Sequence, residues 1–150
     1  MASNEQLNFN EAHAPNENSL EAFNILLPTI KTEILKSRRH WDKHEPRMWS
    51  RASNLSDAQL TSFTMEEDLV EVRSASTSYG QIVLGKIRVL KDGEGEGFVH
   101  VRIHDPPNRG NEDVRFHSLL TDEIREEEGG SPIGYQAIQT RDKPLDFFNE

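Results

Sequence analysis

The stretch 81-QIVLGKIRVLKDGEGEGFVHVRIHDPPNRGNEDVRFHSLLTDE-123 decides the fold. It divides into three segments of largely alternating side chains, Gln81–Lys91, Gly97–Asp105 and Asp113–Asp122. Alternation of this kind marks strands, because successive strand side chains point to opposite faces of a sheet. The first connection carries Gly93, Gly95 and Gly97, and the second carries Pro106 and Pro107. Glycine and proline clusters of this kind turn the chain. The segments therefore read as three consecutive antiparallel strands.

The hydrophobic pattern assigns the faces, since a slip of one residue turns every side chain over. Val99, Val101 and Ile103 share one face of the middle strand, and Phe98, His100, Arg102 and His104 share the other. Matching apolar to apolar places Val101 opposite Phe116 and Ile103 opposite Val114. The same match sets His100 against His117, Arg102 against Arg115 and His104 against Asp113. On the other side it pairs Val89 with Val99 and Ile87 with Val101, so Arg88 meets His100 and Lys86 meets Arg102. One face is then apolar. The other collects Lys86, Arg88, His100, Arg102, His104, Arg115 and His117, with Arg109 at the tip of the Pro106–Asn111 loop. Ile82, Leu84, Leu90 and Phe98 share that cationic face.

Upstream, Leu69–Arg73 reads as a further strand and Ser74–Ser78 as a turn-forming connection. Ser56 and Gln59 form a capping box, with Leu55 and Leu60 at the staple positions, which predicts a short helix over Asp57–Phe63. Ser19–His44 is helical by spacing: Leu20, Phe23, Leu27, Ile30 and Ile34 form one stripe. Pro28 either breaks a short helix, Ser19–Leu27, or opens the main helix in its first turn. Downstream, Glu123–Gly130 reads as a loop and Pro132–Thr140 as a last strand. Leu145-Asp146-Phe147-Phe148 is either a docked segment or an acidic–aromatic binding motif.

These elements predict an α+β domain over residues 19–140, with the N-terminal helix or helices packed on a curved antiparallel sheet of four or five strands. Residues 1–18 are expected as a disordered acidic tail and 141–150 as a C-terminal tail. The element order is similar to that of cystatin-like and NTF2-like folds. The likeness covers roughly Ser19–Thr140 and rests on no motif, so it implies nothing about chemistry.

Composition bounds the function. The chain has 150 residues and a net charge of −9, which argues against a surface that coats nucleic acid. It has no cysteine, so disulfides, thiolate nucleophiles and cysteine-ligated metals are excluded. Neither a secretory leader nor a membrane-spanning run is legible, and a cytoplasmic or nuclear protein is expected.

Like charges facing each other across strands destabilise a sheet, so the cationic face calls for an anionic partner. That partner could be internal, from Glu123–Glu128 or the N-terminal tail. The leading expectation is a non-enzymatic binding or adaptor protein whose cationic–apolar face and 106–111 loop engage an acidic or phosphorylated protein, with homodimerisation through an open sheet face as a further use. Its binding residues are Lys86, Arg88, His100, Arg102, His104, Arg109, Arg115 and His117. The alternative is a nucleic-acid-associated protein. It would use Lys36–Arg51 together with the cationic face: within Lys31–Arg51, seven basic residues stand against three acidic ones, interleaved with Trp41, Met48 and Trp49.

A histidine acid or base in a small NTF2-like enzyme is the other alternative, with His104 and Asp113 as an oriented pair. No catalytic residue, cofactor or metal site is assigned. His100 and His104 lie about 13 Å apart along a strand, too far to share an ion with bonds of about 2 Å. His40 and His44 have metal-binding spacing on a helix but lack a recognisable third ligand, and no phosphate-cradling loop is present.

Overall fold

The computed structural model describes residues 9–44, 49, 55–77, 80–90, 97–107, 113–120, 122–124, 134–141, 143–146 and 148. Helices come first, followed by a four-stranded antiparallel sheet that does not close, with strands in sequence order. The α+β class expected from the sequence is therefore the class observed. A separate two-stranded ladder joins β5, Asp122–Ile124, to β6, Gly134–Gln136.

The N-terminal helix divides at Pro28 by both of the expected routes. Helix α1, Glu17–Ile25, stops at Leu26, and α2, Leu27–His44, starts with Pro28 in its first turn. Proline fits there because a first-turn N–H has no helical acceptor. Asn16 caps α1: its side chain accepts the Ser19 N–H at 2.9 Å, and Ser19 Oγ accepts the Asn16 N–H at 2.9 Å. The predicted capping box of Ser56 and Gln59 opens α3, Asp57–Leu60, shorter than expected. The acidic run after it forms one turn of helix, α4, Met65–Asp68, capped by Thr64.

The first strand is longer than its sequence signal. β1 runs Leu69–Thr77, so most of the serine-rich segment expected as a turn is strand. Those residues have no strong preference, and pairing with β2, Gly80–Leu90, supplies what their side chains do not. Beyond β2 come β3, Gly97–Asp105, and β4, Arg115–Leu119.

The faces are as expected but the registers are not. Ile87 pairs with Val99 and Lys86 with His100, two residues from the expected pairing of Val89 with Val99. Between β3 and β4, Ile103 pairs with Phe116 and, past a bulge, Val101 with Leu119. A shift of two keeps each side chain on its face, so alternation alone does not distinguish those registers; past the β4 bulge the shift is three, and Leu119 rather than Leu120 takes the apolar face. Arg102 thereby faces Ser118 instead of Arg115, and His104 faces Arg115 instead of Asp113. The expected arginine-on-arginine opposition is absent.

The apolar face carries the main core. Val83, Ile87, Val99, Val101 and Ile103 pack with Phe23, Ile30 and Ile34 of α1 and α2 and with Leu60, Phe63 and Met65. Each large side chain withdrawn from water contributes about 1.5–3 kcal/mol. Gly85 is needed where Phe23 presses on β2: a β-carbon there would lie 2.4 Å from Phe23 Cζ. Trp49 is buried on the same core and donates its indole N–H to Ser37 Oγ at 3.0 Å.

Residues 9–16, placed in the tail by the sequence, run beside β1. His13 and Val72 exchange both backbone hydrogen bonds, at 3.0 and 2.8 Å, and the Asn10 N–H reaches Ser74 O at 3.1 Å. No described helix is long and apolar enough to cross a membrane.

Candidate functional site

The second face of the sheet is where the sequence concentrates its cations. It is not open. The chain returns after β6, pairs Gln139 with Phe98 at the margin of β3, and crosses the face as far as Phe148. The homodimer expected through an open face therefore lacks that surface. The returning segment works mainly through main-chain carbonyls, and residues 9–10 of the N-terminal stretch join it at Arg73; residues 125–128 of the acidic Glu123–Glu128 stretch lie outside the described part.

Lys86 is buried at the centre. Its ammonium donates to Arg141 O at 2.8 Å and Lys143 O at 2.7 Å, and lies 3.7 Å from Glu71 Oε1. Arg102, also buried, donates to Phe148 O at 2.8 Å and from Nε to His117 Nδ1 at 3.2 Å. Phe98 is fully buried between two cations, with Lys86 Nζ 5.9 Å and Arg141 Cζ 5.2 Å from its ring centroid. Such cation–ring contacts favour the desolvated arrangement.

Arg88 serves another purpose. Its Nε donates at 3.0 Å to Asp68, a fully buried carboxylate that also caps the Thr64 N–H. It ties β2 to α4, and removing it would strand a buried charge.

His100 is 0 % exposed, and neither ring nitrogen has a hydrogen-bond partner. Desolvation first, then the Lys86 and Lys143 charges, pushes its pKa down to about 3. The ring is neutral at physiological pH. It does not face His117 as expected, since β3 and β4 pair in another register.

His104, Arg115 and His117 remain at the outer corner. Arg115 is exposed, and among the described residues it has no ion-pair partner. The His104 and His117 rings stack with centroids 6.0 Å apart and planes 17° from parallel. Because His117 Nδ1 accepts from Arg102, the neutral ring carries its proton on Nε2 and offers a donor there. Pro106 and Pro107 lie past the end of β3, while Arg109 and residues 108–112 fall outside the described part.

Sequence reasoning missed Arg73. It donates to Asn10 O at 2.9 Å and to Leu145 O at 3.0 Å, sits 3.5 Å from Asp146 Oδ1, and covers the Phe9 ring at 5.5 Å. One guanidinium thus holds the segments from both ends of the sequence. The signal was its register: extended to Thr77, β1 sets Arg73 opposite Leu84, on the cationic face.

The basic stretch on α2 is partly engaged as well. Arg38 donates to Leu55 O at 2.8 Å and to the Asp57 carboxylate, and Arg39 reaches that carboxylate at 2.7 Å. The Arg38 hydrogen bond holds the Asp57 carboxyl below its ordinary pKa. The Trp41 side chain, Arg47, Met48 and Arg51 lie outside the described part. Among the described residues no three histidine or carboxylate side chains are placed to hold a metal ion.

No protein-family model, curated protein or solved structure matches the chain, so the likeness of element order to cystatin-like and NTF2-like folds gains no support from a relative.

Proposed function

We propose that the protein is a non-catalytic binding module that engages an acidic or phosphorylated segment of a partner protein, in the cytoplasm or nucleus. The binding surface is narrower than the full cationic face. Lys86, Arg88 and Arg102 hold groups of the chain itself, and His100 is buried and neutral. The corner of His104, Arg115 and His117 is what faces outward.

The carrying observation is the exposed Arg115 beside two stacked histidines, with no carboxylate paired to it among the described residues. An arginine can grip a carboxylate or phosphate with two parallel hydrogen bonds, which a lysine cannot imitate.

The test is fluorescence anisotropy of a labelled phosphoserine–glutamate peptide added to the intact chain. Saturable binding is expected, weakened about tenfold or more by Arg115→Glu, a loss of about 1.4 kcal/mol. Equal affinity for wild type and Arg115→Glu would remove the corner from the reading. Preference for single-stranded RNA of equal charge would favour nucleic acid as the partner.

A further inference from the structure

The segment from Gln139 to Phe148 is held in an unusual way for a piece of a core. Among its described residues, only Gln139 exchanges backbone hydrogen bonds with a strand, its partner being Phe98. Beyond it, four main-chain carbonyls are each taken by a cationic side chain: Arg141 O and Lys143 O by Lys86 of β2, Leu145 O by Arg73 of β1, and Phe148 O by Arg102 of β3. The segment buries one aliphatic side chain, Leu145 at 2 % exposure, and sets the Asp146 carboxylate beside Arg73.

Carbonyls are common to every peptide. A surface that grips them fixes the path of the backbone and reads identity only at the few side chains that enter it. The cations of this surface also tolerate release, because ammonium and guanidinium groups regain hydration when the chain leaves. The helix face has no such alternative, since its apolar groups have only water to turn to.

We propose that the trough lined by Arg73, Lys86, Phe98 and Arg102 is a peptide-binding surface, and that residues 143–146 and Phe148 occupy it as a tethered ligand. The competing occupant is a segment of a partner protein bearing an aliphatic residue followed by a carboxylate, the pattern of Leu145-Asp146. This surface is distinct from the Arg115 corner, although Arg102 touches both through its bond to His117. Tethering raises the local concentration of the resident segment to the millimolar range, so a free peptide competes poorly until the resident is weakened.

The probe is a fluorescein-labelled peptide with the sequence of residues 141–148, added to the full chain and read by anisotropy. Intact protein is expected to bind it weakly. The full-length Leu145→Asp variant damages the occupant and leaves the trough unchanged, so it should bind the peptide about tenfold more tightly or better. A peptide with the same leucine replaced by aspartate should not bind. A folded Leu145→Asp chain that binds no better than wild type overturns the proposal.

Hydrogen exchange on the intact chain covers the case in which the variant does not fold. The Lys143 and Asp146 amides, bonded to Thr140 O at 3.2 Å and Pro144 O at 2.9 Å, should exchange well before the β2–β3 ladder. Exchange of both sets together, only on global unfolding, makes the segment part of the core and also overturns the proposal.

Discussion

The two faces of the sheet are covered by different physics. The helix face is closed by Phe23, Ile30, Ile34 and their neighbours, packed without direction and held by exclusion of water. The opposite face is closed mainly by the returning segment, held through directional bonds from Lys86, Arg102 and Arg73 to carbonyl oxygens. The first cover is indifferent to pH and salt in the ordinary range. The second depends on charges that must stay dehydrated, and it encloses a histidine with no partner. One sheet thus has a permanent face and a conditional one.

The largest effect should come from the permanent face. Phe23→Ala opens a cavity over Gly85 and is expected to cost about 3–5 kcal/mol. Urea unfolding should show a lower midpoint with an unchanged slope. A loss below 1 kcal/mol would mean that α1 is not part of the core.

Lys86→Met tests the conditional face. It leaves the Arg141 and Lys143 carbonyls unsatisfied, with an expected cost of about 1–3 kcal/mol. The loss should be concentrated in faster exchange at residues 143–146, with little change in the β2–β3 ladder. Uniform destabilisation would erase the distinction between the two covers.

His100 sets the pH response of the same cover. Its pKa is pushed down from 6.5 to about 3 when the segment is in place. Once the segment leaves, the ring regains water and returns toward 6.5. Between those values the open form binds a proton that the closed form does not, so closure weakens as pH falls. The limiting slope is about tenfold in the closing equilibrium per pH unit, and above 6.5 His100 adds no dependence. The Lys86 and Lys143 charges beside the ring oppose its protonation. An NMR titration of the His100 ring checks this, and an ordinary imidazole titration with the segment amides unmoved would contradict it.

The smallest effect on stability is expected at the corner. Arg115→Ala should change it by no more than about 0.5 kcal/mol, because the side chain is exposed and no described group bonds to it. Thermal unfolding provides the measurement. A larger loss would show that Arg115 belongs to the fold and not to the binding surface.

How much was legible follows from the same contrast. Alternation in Val99–Ile103 and the stripe of Phe23, Ile30 and Ile34 revealed the permanent face, since burial leaves a periodic trace in the sequence. The cations of the conditional face were legible for the same reason. Their destinations were not. Lys86 and Arg102 end on backbone oxygens, which every residue carries and no sequence pattern marks. Arg88 ends on Asp68, whose burial follows from a helical turn that the acidic run does not advertise.

From the sequence alone came the α+β class, the strand order, the parity of β2 and β3, the Ser56 capping box and a helix boundary near Pro28. Local chemistry decides these: side-chain period, cap geometry and proline's fixed torsion. Register, the reach of β1 to Thr77, the burial of His100, the role of Arg73 and the covering of the cationic face were decided only in three dimensions. They rest on bulges and on contacts between residues far apart in the chain, where spacing in sequence carries no information about distance in space.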